Sequence, residues 1–174
     1  YPFTSQRLGF RGWADADIPL MAAISGDAEV MRFFPAVATP QQTHDFVRRM
    51  QQMQQEKGYC YYAVDRLEDG AFIGFIGLFW QEYDAAFTPC TDVGWRLAKA
   101  YWNHGYAPEG AIRCLQHAHD TLRLPVIYAT APAINLPSIH VMQKAGMQHH
   151  TDFIHPRLAN DERLRNCVAY ISKK

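Results

Sequence analysis

No apolar run in the chain is long enough to cross a bilayer. The longest, "AFIGFIGLFW" from Ala71, is about half of the roughly 20 residues that a spanning helix needs. No charged segment followed by an apolar stretch opens the chain at Tyr1, and the expectation is a cytoplasmic protein. Neither sign of charge is in excess: 17 Lys and Arg stand against 17 Asp and Glu, with no dense run of one kind. That excludes the electrostatic footprint of an indiscriminate nucleic-acid or membrane binder, so any bound anion is small and held locally. Cysteines are few and scattered. Cys60, Cys90, Cys114 and Cys167 form no CxxC pair, and buried thiols are expected. Repeats, low-complexity tracts and linkers are missing as well, which leaves one domain over residues 1–174. The spacing GxxxxGK[ST] and the three-glycine dinucleotide fingerprint are both absent, which argues against a nucleoside triphosphatase and a dinucleotide enzyme.

What is present is a 48% hydrophobic chain whose periodicity changes along its length. "QRLGFRGW" alternates as a strand ending at Gly12. Asp15 or Asp17 caps a helix through Ile18, Met21, Ala22 and Ile24, and Asp27 starts a short turn that runs to Pro35. In the next segment Thr39 caps and Pro40 takes the first helical position. Phe46, Val47, Met50 and Met53 form its apolar stripe, and Gly58 stops it. Two apolar runs flanking "EDG" predict a β-hairpin, and "CTDVGWRLA" a further strand. A helix, the short run "VIYATA", a helix from near Asn135 and the strands "HHTDFIHPR" and "NCVAYIS" complete the order β, α, α, β, β, β, α, β, α, β, β. Hairpins mixed with helical crossovers predict a mixed α/β fold, with helices on both faces of the sheet.

The stretch "YWNHGYAPEG" between Tyr101 and Gly110 carries the first chemical signal. Asn103 and Gly105 tolerate positive φ, so the chain bends tightly and exposes consecutive backbone N–H groups. Pro108 fits the first turn of the helix that follows, whose apolar positions are Ala111, Ile112, Leu115 and Ala118. A helix N-terminus behind such a loop is suited to an anion, although an ordinary strand-to-helix turn has the same signature.

Read with "NLPSIHVMQKAGM", the stretch "VGWRLAKAYWNHGYAPEG" resembles the GNAT acetyltransferases, in the branch similar to the ribosomal-protein N-terminal acetyltransferases. The family's pyrophosphate loop Q/R-x-x-G-x-G/A is matched by Trp102, Asn103, His104, Gly105, Tyr106 and Ala107, with Trp in the first slot as in that branch and Asn103 where Gly is common. "RLGFRGW", "VMRFFP", "FIGFIGL" and "DFIHPRL" extend the resemblance over nearly the whole chain. It implies a mostly antiparallel sheet, flanked by helices and splayed open after the strand containing Val93 to Leu97. It implies further that the pantetheine arm of acetyl-CoA lies in that opening against Trp95 and Leu97, with Asn135 hydrogen-bonding the arm. As a plain N-cap, Asn135 reads equally well.

Acetyl transfer to an amine needs a neutral amine, a polarised carbonyl and a proton for the departing thiolate. Direct attack, usual in the resembled family, leaves the cysteines without a part. Ser138 matches a serine that meets the thiolate in the similar N-terminal acetyltransferases, and it reads also as a first-turn residue bonded to its own backbone. Met142 stands where many relatives carry a tyrosine acid. For the base, Asp92 competes with His155, whose imidazole titrates near neutrality beside Pro156. Asp92 shares a strand face with Gly94 and Arg96 and could simply pair with that arginine, and His155 could be structural.

A metal site at His149, His150, Asp152 and His155 is disfavoured, because adjacent strand residues face opposite ways. His104 is read as a loop residue near phosphate, and Glu109 as a carboxylate complementing the helix dipole. Phe33, Phe34, Phe79, Trp80, Tyr83 and Phe87 fall where similar folds place the acceptor entrance, and no acidic side chains gather there to receive a polyamine. The expected partners are acetyl-CoA and an amine acceptor, a protein N-terminus or a small molecule, with a homodimer possible and no nucleic acid or membrane. The alternative is an acyl-CoA-binding module that has lost its chemistry.

Overall fold

The computed structural model describes all 174 residues. The chain runs β1 (Phe3–Thr4), β2 (Leu8–Arg11), α1 (Asp17–Ser25), α2 (Pro40–Lys57), β3 (Tyr61–Arg66), β4 (Phe72–Gln81) and β5 (Cys90–Leu97). After a short 3-10 turn at Lys99–Tyr101 it continues as α3 (Tyr106–Gln116), β6 (Val126–Pro132), α4 (Leu136–Lys144), β7 (Gln148–Ile154) and β8 (Asn166–Lys173). The strands form one eight-stranded sheet in the order β1-β2-β3-β4-β5-β6-β8-β7. Every neighbouring pair is antiparallel except β5 with β6.

Helix α2 forms as its sequence predicts. Thr39 Oγ1 accepts from the Gln42 N–H at 3.2 Å while Gln42 Oε1 accepts from the Thr39 N–H at 2.8 Å, a reciprocal capping box. Gly58 ends the helix at φ 80°. Thr39→Ala removes one of these bonds and is expected to cost about 1 kcal/mol, read as a lower urea midpoint at unchanged slope. In the β3–β4 hairpin Gly70 adopts φ 71°, the conformation expected of an Asp-Gly turn.

Three features depart from expectation. Strand β1 is added at the sheet edge, where the Phe3 ring stacks on Phe10 at 4.5 Å. Asp17 does not cap α1, since Ala16 takes that position. The buried Asp17 carboxylate instead accepts from Arg11 Nη1 and Nη2 at 2.7 and 2.8 Å, and Arg11 also reaches Asp65 through Nε and Nη2. A guanidinium held between two carboxylates satisfies groups that would be costly to bury alone. Helix α3 ends in a π-turn at His117–Thr121, and Ile112 is 38% exposed while Ala111, Cys114 and Leu115 face the core.

The sheet opens beside the strand that the resemblance singles out. β5 pairs with β4 from Cys90 to Leu97, but with β6 only at Asp92 opposite Tyr128. The opening therefore lies between β5 and β6 and begins just after Asp92. Helix α3 lies close over the sheet here, because a Cβ on Gly110 would come within 2.2 Å of Ile76 Cδ1.

Candidate active site

The open edge of β5 is polar. The Ala98 N–H bonds to the Ile73 carbonyl, which makes Leu97 and Gly74 a non-hydrogen-bonded pair. By alternation Trp95 and Leu97 turn their N–H and C=O groups away from β4, into the gap. The Leu97 carbonyl is taken there by the Trp102 indole N–H at 2.9 Å, which braces the following loop. In that loop Asn103 has φ 62° and Gly105 φ 78°. Asn103 thus adopts the left-handed conformation that Asn, among residues other than Gly, tolerates best. Gly105 immediately precedes Tyr106, the first residue of α3, so loop and helix N-terminus present free N–H groups together.

These groups border a cleft of about 710 Å³ between β5, α3, α4 and the segment from Glu29 to Phe34. Of the residues picked out in the sequence, Trp95, Leu97, Trp102, Asn103, Gly105, Tyr106, Ala107, Asn135 and Ser138 all line it. His104 does not. Its ring lies beside Tyr106 and its carbonyl accepts from Arg7 Nη1 at 3.0 Å. Arg7 was not legible as a site residue, yet it pairs with Glu109 at 2.7 Å and stacks over Tyr106 at 4.5 Å. Glu109 accordingly braces the N-terminal segment against the loop instead of simply complementing the dipole. Burial raises its pKa, but the bonds from Ser5 and Arg7 outweigh that and hold it below the usual range.

Asn135 Oδ1 accepts from the Ser138 N–H at 3.2 Å, the N-cap role, and its amide nitrogen makes no bond within the chain. The Ser138 hydroxyl, half-buried in the cleft wall, does not bond its own helix, as the structural reading of this residue required.

Asp92 sits at the apex of the opening and is 6% exposed. It does not pair with Arg96. Its Oδ1 accepts from the Tyr61 hydroxyl at 2.6 Å and its Oδ2 from Gln81 Nε2 at 2.9 Å. Burial pushes its pKa up to about 6, against the lowering effect of Tyr61, Gln81 and Arg157. Tyr61 and Gln81 lie on neighbouring strands, and no local sequence pattern signals them. His155 Nδ1 accepts from the Arg157 N–H at 3.2 Å and caps the turn Pro156–Leu158. That bond leaves the proton of the neutral imidazole on Nε2, and burial followed by Arg157 lowers its pKa. His155 is therefore a capping residue whose ring lies tilted against Tyr83 at 4.4 Å, and not a ring with a free proton-accepting nitrogen.

Among the aromatic residues expected at the acceptor entrance, only Phe33 and Phe34 line the cleft. Phe79 stacks on Tyr61, and Trp80 bonds Glu82. Tyr83 and Phe87 belong to a separate cluster with Tyr128, Phe153 and His155. Asp152 pairs with His149 at 2.7 Å. All four cysteines are free and buried, and burial pushes the Cys60 and Cys90 thiols up to about 12. No helix is long and apolar enough to cross a membrane.

The profile of the acetyltransferase (GNAT) domain matches residues 7–148. The uncharacterized N-acetyltransferase YnaD of Bacillus subtilis is 30% identical over 146 residues, which span 83% of this chain and 81% of that protein. A GNAT-family acetyltransferase from Bacillus anthracis superposes with a TM-score of 0.81 at 24% identity, covering 98% of this chain and 96% of its own. A RimL ribosomal L7/L12 α-N-protein acetyltransferase in complex with coenzyme A shares the fold with a TM-score of 0.76 at 13% identity, over 98% and 96% of the two chains. The open sheet, the left-handed loop ahead of α3 and these matches lead to one conclusion: the chain belongs to the GNAT acetyltransferase family and is an N-acetyltransferase.

Proposed function

We propose that the protein, as one domain over residues 1–174, transfers an acetyl group directly from acetyl-CoA to a primary amine. The observation that carries this reading is the cleft in which an unpaired strand edge, a left-handed loop and a helix N-terminus converge. The cleft fits such a donor: the N–H and C=O of Trp95 and the N–H of Leu97 suit an amide-bearing pantetheine as a pseudo-strand. The N–H groups around Asn103 to Ala107 suit its pyrophosphate. The Asn135 amide nitrogen is available to the same arm. Acetyl-CoA supplies a thioester carbonyl, which the amine attacks as the bond from carbon to sulfur breaks.

Asp92 receives the proton of the amine, directly or through water, in a site where burial brings its pKa close to working pH. Ser138 donates a hydrogen bond to the departing thiolate. Buried, protonated thiols supply no protein nucleophile, which favours one-step transfer over an acyl-enzyme.

Steady-state thiol release with a panel of amines tests the reading. Lines that intersect when both substrates are varied support direct transfer, parallel lines sink it, and tight coenzyme A binding without turnover points to the inactive binding module. Ser138→Ala is expected to lower kcat about tenfold, the worth of one hydrogen bond to a charged group, with acetyl-CoA affinity nearly unchanged.

A further inference from the structure

Arg96 is the cleft-lining cation whose charge nothing in the chain neutralises from within a burying environment. Of the five N–H donors of a guanidinium, one is used: Nη1 donates to the buried Ser25 Oγ at 3.0 Å. Nε is shut off from solvent without any partner, and no carboxylate lies within ion-pair distance. The guanidinium lies over the rings of Phe34 at 4.5 Å and Phe75 at 5.4 Å, which fix its plane without meeting its donors. Burial lowers its pKa to about 10, so it remains a cation at neutral pH. Arg11, on β2 and more exposed, is by contrast clasped by Asp17 and Asp65. A buried unpaired charge is costly, and its neighbours are arranged to hold it in one place instead of relieving it.

Its position says what would complete it. Strand alternation puts Arg96 on the face of β5 opposite to Trp95 and Leu97, and on the face that carries Asp92. Tyr61 lies between the two: its hydroxyl meets Asp92, its ring stacks on Phe75, and a Cβ on Gly94 would touch that ring. The only carboxylate in the cleft wall, Glu29, is paired with Lys99, so nothing there would welcome a second cation. We propose that Arg96 anchors a carboxylate on the acceptor, so that the molecule acetylated is an amino acid or a similarly small amine bearing a carboxylate. This rests on the acetyltransferase reading and names the substrate class of the same site. The amine points toward the apex of the opening, where Asp92 lies beyond Tyr61, while the carboxylate takes the unused Nη donors of Arg96, a charge-assisted pairing that also fixes which end enters.

The experiment measures thiol release from acetyl-CoA with free amino acids of increasing separation between amine and carboxylate, and with the corresponding carboxamides and spermidine. Calorimetric titration with coenzyme A runs in parallel. The wild type is expected to prefer at least one carboxylate over its carboxamide about tenfold or more in kcat/KM. Arg96→Gln is expected to collapse that ratio toward one, and Arg96→Lys to keep part of it, with coenzyme A affinity within a few-fold for both. Equal rates on acids and amides, preference for spermidine, or no turnover of any amino acid by a protein that binds coenzyme A overturns the proposal. So does loss of coenzyme A binding in a folded Arg96→Gln variant, which would assign the guanidinium to the donor. Absence of coenzyme A binding by the wild type would instead defeat the acetyltransferase reading itself.

Discussion

Gly105→Glu is expected to weaken acetyl-CoA binding about 100-fold or more, which corresponds to roughly 3 kcal/mol. Two independent effects act together at this position. The first is conformational: Gly105 has φ 78°, where any Cβ crowds the backbone at a cost of about 1–2 kcal/mol. The second is electrostatic. A carboxylate planted between Asn103 and the first turn of α3 occupies the N–H groups that would otherwise meet pyrophosphate, and it repels that anion. Gly105→Ala separates the two, because it carries the strain alone and a Cβ would find only Arg7 Nη2, at 3.4 Å. Calorimetric titration is expected to show micromolar binding by the wild type, up to about tenfold weaker binding by Gly105→Ala, and none detectable by Gly105→Glu. Circular dichroism would confirm that both variants are folded. Undiminished binding by the Glu variant would place the phosphates elsewhere and remove the basis of the functional reading.

Asp92→Asn is expected to lower kcat by about 10²–10⁴, the range for loss of a positioned general base, with little change in acetyl-CoA affinity. At saturating acceptor, kcat of the wild type should rise with pH through about 6, as Asp92 loses its proton, and this limb should vanish in the variant. His155→Gln should keep the limb, because the imidazole is already committed to the Arg157 N–H. Stability should move the other way. The folded-state pKa of Asp92 lies above its ordinary value of 3.8, so the native state binds the extra proton between pH 3.8 and about 6. Its contribution is full below the lower value and is lost as pH rises through about 6. Asp92→Asn removes a buried charge while Gln81 can turn its amide to suit, so at pH 8 the variant should melt at an equal or higher temperature. A variant that melts lower and keeps its acid limb would make Asp92 a structural residue.

What the sequence disclosed follows from how local each signal is. Helix α2 was legible from end to end because Thr39, Pro40 and Gly58 act on their own neighbours. So was the loop, since a tight bend leaves few choices at Asn103 and Gly105. The succession of strands and helices along the chain was legible too, apart from the two residues of β1, which form only because β2 is there to receive them. Partnerships across the sheet were not. Asp17 looks like a cap until Arg11 is brought against it, and Asp92 and Arg96 look like a pair until Tyr61 and Gln81 claim the carboxylate. His155 offers a plausible base until the turn behind it supplies an N–H. In each case a residue between two and some thirty positions away decides the chemistry, and no spacing rule reports it.

The opening beside β5 also gives the protein an internal gauge of occupancy. Val93 to Leu97 belong to a strand whose two edges live under different regimes. The amides of Gly94 and Arg96 are locked to β4, while those of Trp95 and Leu97 face the gap. In the free protein, deuterium should therefore enter Trp95 and Leu97 quickly while Gly94 and Arg96 resist, an alternation of labelling along one strand. A ligand lying along the edge would slow the fast pair without touching the slow one. The sheet itself would then record which molecules complete it, amide by amide and before any turnover occurs.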